Sequence, residues 1–142
     1  MKGYLLVEAG GARYGVPLAD VRQVIELPPA SAAPSTHPAV LGVIQVGGRL
    51  MPLVDLGALV EAHRAPMPGT TLAVVTRCAQ RLVALAVDDA EAVVHEEPEP
   101  LPDGWALAWA AGVAREGGTL IPVIDMDVLA ERLVSVGASG ER

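Results

Sequence analysis

The chain repeats itself. From Gly42 it reads G-V-I-Q-V-G-G-R-L-M-P-L-V-D-L-G-A-L-V, and from Gly112 it reads G-V-A-R-E-G-G-T-L-I-P-V-I-D-M-D-V-L-A. The two stretches align without a gap. Gly42, Val43, Gly47, Gly48, Leu50, Pro52, Asp55 and Leu59 match Gly112, Val113, Gly117, Gly118, Leu120, Pro122, Asp125 and Leu129. Most of the remaining apolar positions exchange one aliphatic residue for another. Low complexity does not explain Gly, Pro and Asp recurring at fixed offsets. Weaker parallels precede these blocks. Tyr14 to Leu27 corresponds to Val83 to Glu96, and Tyr4 to Val7 corresponds to Leu72 to Val75. A fixed period of this kind marks a duplicated structural unit, so the chain must fold as two related parts.

Each copy reads as a series of short strands. Leu5 to Val7 is a strand and Gly10-Gly11 is its hairpin turn, because glycine accepts positive φ. Arg13 to Leu18 is the next strand. Val21, Val24 and Ile25 carry the pattern past Asp20 until Pro28-Pro29 stops it, since proline cannot donate to a ladder. A loop follows from Ser31, and Pro38 to Leu41 is expected to form one helical turn. Val43 to Val46 and Leu50 to Val54 form a hairpin about Gly47-Gly48. Asp55 is placed to cap a helix from Leu56 to His63, its carboxylate accepting from the free N–H groups of the first turn. The second copy repeats this through Val74-Val75, Leu82 to Val87, Ala92 to Val94, Gly112 to Ala114 and Thr119 to Ile124. Asp125 then caps a helix from Met126 to Val134. Pro66 to Gly69 reads as the linker, and residues 135–142 as a loose tail. Trp105 and Trp109, four apart, are expected to share a helix face at the seam.

Composition agrees with a β-rich chain and narrows the function. The apolar fraction is 51%, yet aromatics are only 3% and Phe is absent, so the core is aliphatic. Short strands at even spacing, with Gly-Gly and proline punctuation, indicate small barrels. The net charge of −7 and the absence of a Lys/Arg cluster exclude a nucleic-acid footprint. They also disfavour anionic membrane surfaces. No apolar run approaches the roughly 18 residues of a membrane span. No targeting segment is visible, and the lone Cys78 suits a reducing cytoplasm as buried filler. His37, His63 and His95 lack metal-ligand spacing. No serine sits in a nucleophile elbow, and the Gly-Gly pairs lack a phosphate-loop lysine. Nothing calls for a cofactor. An acid hydrolase built on the repeat-related Asp55 and Asp125 is conceivable, but the hydroxyl residue and glycine that such sites need do not follow either aspartate. The acidic stretch Glu91, Glu96, Glu97, Glu99 and Asp103 reads as a solvated loop, with steering of a basic partner as the sharper alternative.

Four motifs in order resemble the CheW-like domain family over about Tyr4 to Leu133. Y-G-V-P-L-x-x-V-R-Q-V-I is similar to the opening of such domains. L-G-V-I-Q-V-G-G-R-L-M-P-L-V-D-L resembles their central G-V-x-N-L-R-G-x-x-x-P-V-x-D-L-R pattern. L-A-V-D-D-A-E-A-V and G-V-A-R-E-G-G-T-L-I-P-V-I-D resemble the later G-L-x-V-D-x-V-x-x-V stretch and the closing strand pair. The resemblance implies an all-β fold with short helices, in which two five-stranded, SH3-like barrels pack side by side. It places residues 1–142 in a single domain, with about 14–65 forming one barrel and about 1–13 with 70–134 forming the other.

The implied role is a non-catalytic adaptor that couples a chemoreceptor's cytoplasmic tip to the regulatory domain of a CheA-type histidine kinase. The family's Arg is Gly47 here, its Glu is Gln23, and its D-L-R is Asp55-Leu56-Gly57. Losing both members of a family ion pair is coherent, because losing one strands a charge. Arg49 stands two positions beyond the missing arginine. Exposed aliphatics such as Val21, Val43 or Leu50 are expected to meet the kinase. A groove near Gln23, Gln45, Val46, Gly47 and Arg49 is expected to meet a second partner. These departures point to a divergent pathway, of a non-flagellar or twitching type. A regulatory barrel outside chemotaxis is the alternative.

Overall fold

The computed structural model describes residues 2–32, 37–60 and 72–140, with residues 134–140 described for backbone alone. The elements are β1 (Tyr4–Ala9), β2 (Ala12–Pro17), a 3-10 turn (Leu18–Asp20), β3 (Val21–Glu26), β4 (Val40–Val46), β5 (Arg49–Asp55), α1 (Leu56–Val60), β6 (Leu72–Cys78), β7 (Arg81–Val87), β8 (Asp89–Val94), β9 (Ala110–Glu116), β10 (Thr119–Ile124) and α2 (Met126–Gly140). They form two five-stranded sheets. Sheet A has the order β8-β1-β2-β10-β9, and sheet B has the order β3-β6-β7-β5-β4.

The duplication is visible in the registers. Leu6 faces Gly15 in the β1–β2 pair, and Val75 faces Ala84 in the β6–β7 pair. Tyr4 is therefore the counterpart of Ala73, one residue later than the expected match with Leu72. The Gly10-Gly11 turn corresponds to Ala79-Gln80, which adopts positive φ (49° and 70°) without glycine. That conformation costs L-residues about 1–2 kcal/mol each.

The two sheets exchange strands. Sheet A takes the first two strands of copy one and the last three of copy two, and sheet B takes the reverse. The expected division, with 14–65 in one barrel, therefore does not describe the sheets. β2 stays with β1 in sheet A, while β6 and β7 join β3, β4 and β5 in sheet B. The copies are joined on both sides, by the antiparallel β1–β8 and β3–β6 pairs and by the parallel β2–β10 and β5–β7 pairs.

Each sheet curls around its own apolar core. Tyr4, Leu6, Ala114, Ile121 and Val123 fill sheet A. The equivalent Ala73, Val75, Ile44, Met51 and Leu53 fill sheet B, together with Ala84 and Ala86. A larger cluster lies between the sheets. It joins Leu5, Val7, Tyr14 and Val16 of sheet A to Val54, Val74, Val83, Leu85 and Val87 of sheet B, with Leu59 of α1 and Leu129 of α2. The strands thus bury both faces near the seam. This explains continuous apolar runs such as Leu82 to Val87, which strict alternation does not predict.

The chain leaving β3 closes sheet B. At Ser31 it exchanges two backbone hydrogen bonds with Val43 of β4, Ser31 N to Val43 O at 2.9 Å and Val43 N to Ser31 O at 2.8 Å. The chain leaving β8 repeats this at Glu99 against Val113 of β9, at 2.7 and 2.8 Å. These bridges explain the repeated Gly-Val. A Cβ on Gly42 lies 2.5 Å from the Ser31 carbonyl oxygen, and one on Gly112 lies 2.5 Å from that of Glu99. The bridges also cover edge strands that otherwise invite aberrant pairing.

Other local expectations are corrected. Pro38 and Ala39 form a simple turn that enters β4 at Val40, so no helical turn spans Pro38 to Leu41. The Asp55 amide there bonds the Ala39 carbonyl at 2.8 Å, which fixes the turn to the end of β5. Residues 101–109 are loop and turn, not helix. Trp109 is buried with its ring 5.7 Å from Tyr14 in an edge-on contact, whereas Trp105 is exposed. Helix α2 continues to Gly140, beyond the expected end at Val134. The linker at Pro66 to Gly69 and the end of the expected first helix, at residues 61–63, lie outside the described residues.

The helices of the two copies are tied together. Arg132 on α2 donates to the Leu59 and Val60 carbonyls at 2.9 and 2.8 Å, which satisfies the C-terminal end of α1.

Two substitutions test these points by urea denaturation. Gly112→Ala removes the room for the closing bridge and is expected to lower stability by about 1–3 kcal/mol. Arg132→Ala strips α1 of a charged donor and is expected to cost about 1–3 kcal/mol, with Arg132→Lys only partly restoring it.

Candidate partner-binding surface

The outer face of the β4–β5 hairpin is built by alternation. Ile44 and Met51 pair across the strands and face the core of sheet B. Gln45 and Leu50, the next pair, therefore point outward. Leu50 is 74% exposed, the highest among the exposed large aliphatics, and Leu41 is 38% exposed on the same strand phase as Gln45. The turn at Gly47-Gly48 carries φ of 57° and 81°, as a tight two-residue hairpin requires.

The expected site residues do not all share this face. Val46 packs against the core of sheet B, and Arg49 is its cross-strand partner at the exposed tip of the hairpin. Gln23 is exposed on β3, the opposite edge strand of the same sheet. Val21 is half-buried and packs into the seam between the sheets. Val43 is half-buried, under the Ser31 bridge. Strands apolar on both faces carry no alternation that marks which aliphatics lie outside. Leu50 does, and Val21 does not.

Exposed valines mark repeat-equivalent places on the outermost strands. Val24 on β3 is 40% exposed and Val93 on β8 is 52% exposed. The acidic stretch is solvent-facing and partly neutralised. Arg13 pairs with Glu91 at 3.1 Å and Arg115 with Glu99 at 2.8 Å. Such exposed pairs contribute little to stability.

The repeat-related aspartates act as helix caps. Asp55 accepts from the Ala58 amide at 2.9 Å, and Asp125 accepts from the Asp127 and Val128 amides at 3.0 and 3.4 Å. Asp55 ends β5 of sheet B and Asp125 directly follows β10 of sheet A, so each serves its own helix. His37 accepts from the Ala39 amide at 3.1 Å, and His95 is exposed. Among the described residues, no group of His, Cys, Asp and Glu is arranged to hold a metal ion. No described helix is long and apolar enough to cross a membrane.

These features coincide with a known family. The sequence model of the CheW-like domain matches residues 3–134. The chain belongs to the CheW-like domain family. It is 28% identical over 124 residues to the "Chemotaxis protein CheW" of Rhizobium meliloti (strain 1021), covering 83% of this chain and 80% of that protein. It is 21% identical over 132 residues to the "Chemotaxis protein CheW" of Klebsiella aerogenes, covering 89% of this chain and 80% of that protein. The crystal structure of the scaffolding protein TtCheW from Thermoanaerobacter tengcongensis has the same fold. It superposes with a TM-score of 0.77 at 20% identity, covering 90% of this chain and 91% of that one. CheW-family proteins are non-catalytic adaptors, and capping by Asp55 and Asp125 agrees with that class.

Three titratable groups are shifted, and each is explained by the packing. Burial, then the hydrogen bond that Tyr4 donates to Glu116 at 2.9 Å, raises the Tyr4 phenol to about 12. Burial raises the Asp20 carboxyl, helped by Asp127 and Asp125 and opposed by Arg22. Burial raises the Cys78 thiol to about 11 from 9.0, helped by Asp20 and Asp127. That thiol donates to the Met126 carbonyl at 3.3 Å. The folded state therefore holds the Cys78 proton more tightly than the unfolded chain. Its contribution is fully present below pH 9.0 and is lost as pH rises through about 11. A Cys78→Ala variant is expected to lose stability less steeply than wild type over that window, as read by urea denaturation. Wild-type thiol is expected to resist alkylation near neutral pH until the chain unfolds.

Proposed function

We propose that this protein is a cytoplasmic chemotaxis adaptor that links a chemoreceptor tip to a CheA-type histidine kinase by binding the kinase's regulatory domain. The observation that carries this reading is the outer face of β4–β5. Leu50 and Leu41 present exposed aliphatic surface beside Gln45, with Arg49 at the rim. An apolar centre with a polar rim is the anatomy of a specific protein interface. Exposure of a large aliphatic residue on a rigid hairpin stabilises nothing in the free chain, which supports a role in docking.

A second contact, to the receptor tip, is proposed at the two edges of sheet B and the turn, through the exposed Gln23, Gln45, Gly47 and Arg49, with the half-buried Val21 and Val46 packed beneath them. Gln23 and Gly47 replace the charged pair that the family resemblance leads one to expect, and Gly57 replaces a further arginine. Those replacements support a divergent, non-flagellar pathway, of the twitching-motility kind. Receptor recognition then rests on hydrogen bonding by the glutamines and on Arg49.

The test is a titration of the purified chain against a kinase regulatory domain from the same organism. Micromolar or tighter binding is expected. Leu50→Arg is expected to weaken it by about tenfold or more, as for a central interface residue. Its thermal midpoint should stay near wild type, because the side chain is 74% exposed. Absence of binding by the wild-type chain, or full binding by Leu50→Arg, overturns the proposal.

A further inference from the structure

We propose that the β1–β2 hairpin is a transferable element, so that two copies of this chain form a dimer by exchanging residues 4–17 into each other's sheet A. Apart from pairing within itself, the hairpin's ladder partners are all remote in sequence. β1 pairs with β8, and β2 pairs with β10. Its apolar side chains serve both cores that it touches. Tyr4 and Leu6 fill sheet A, while Leu5, Val7, Tyr14 and Val16 enter the seam. The hairpin therefore completes a socket formed by β8, β9 and β10, and its link to β3 is the three-residue turn Leu18–Asp20.

The fold already performs this exchange internally. Strands 1 and 2 of each copy sit in the sheet that holds strands 3 to 5 of the other. Moving the hairpin to a second molecule preserves every ladder and core contact and changes only the hinge. Such an exchange is a low-cost route to dimers. The hinge also favours opening. Pro17 stiffens its start, and at its end burial, then the neighbouring charges of Asp127 and Asp125, raise the Asp20 carboxyl against the opposing Arg22. Opening the hinge returns that carboxyl to water and away from the two aspartates.

The experiment refolds the full chain from urea at low and at millimolar concentration, then measures mass by light scattering. A covalent reporter identifies the exchange. Glu8 and Asp89 face each other across β1 and β8. Glu8→Cys with Asp89→Cys, in a Cys78→Ala background, forms a bond within one chain in a monomer and between chains in an exchanged dimer. A dimer fraction that rises with refolding concentration and migrates as a covalent dimer without reductant supports the proposal. Deleting Ala19 shortens the hinge and is expected to raise the dimer fraction by about tenfold, whereas a two-glycine insertion after Ala19 lowers it. A wild-type chain that stays monomeric at every concentration overturns the proposal. So does a dimer whose bonds all form within single chains, because it associates by its faces alone.

Discussion

Three residues join β2 to β3, and Asp88 alone joins β7 to β8. These short connections determine the architecture. Strand 2 of each copy ends beside the start of strand 1, as Pro17 does opposite Tyr4. Strand 3 must begin beside the far end of a first strand, as Val21 does opposite Thr76. If a copy closed its own sheet, the connector would travel the length of a strand, about 20 Å, and cross over to the other side of strand 1. Fully extended, the two connectors reach only about 14 and 7 Å. Each copy must therefore send its third strand into the other sheet. The seam cluster is the consequence, because two sheets that share their chains at this point must pack against each other. Stability then resides in the pair of copies and in neither one singly.

The closing bridges complete what the exchange begins. Each sheet is left with two edge strands, and in each the chain leaving strand 3 returns to the edge of strand 4 at Ser31 or Glu99. The closest approach is tight enough that only glycine fits at 42 and 112. Among the described large apolar residues, the two most exposed, Leu50 and Val93, lie outside this closed framework. A rigid support with apolar side chains held outward suits a protein that works by being gripped, since little ordering entropy is lost when a partner arrives.

Much of this was legible in the sequence because the features were local. Gly47-Gly48, Pro28-Pro29 and the helix-capping aspartates each act within a few residues, and each does what its chemistry dictates. The exchange of strands was not legible. Both the exchanged and unexchanged arrangements bury the same aliphatic positions, so hydrophobic pattern cannot separate them; only connector length against strand geometry does. The Ala79-Gln80 turn was also silent, because its positive φ is imposed by the β6–β7 register and not by residue preference. Trp105 and Trp109 were misread for a related reason. Their spacing fits a helix, yet the Ala110 strand and the Glu99 bridge require extended chain on either side. For the candidate surface, residue identity was available but facing was not. Seam burial of strands on both sides removes the alternation that tells inside from outside.

Facing also settles how Arg49 relates to the arginine missing at position 47. Position 47 lies in the turn with its backbone in a left-handed conformation, and a Cβ placed there meets nothing within 4 Å. A side chain at 47 would project from the hairpin tip into solvent, free to reach a partner. Arg49 begins β5, exposed, as the cross-strand partner of Val46. Its guanidinium leaves the hairpin from a strand position two residues beyond the turn residue, and therefore in a different direction. A carboxylate partner suited to an arginine at 47 is therefore not presented to Arg49 at the same angle. Bidentate pairing depends on that angle. With Gln23 in place of the family's acid and Gly47 in place of its arginine, neither member of that ion pair is left to strand a charge.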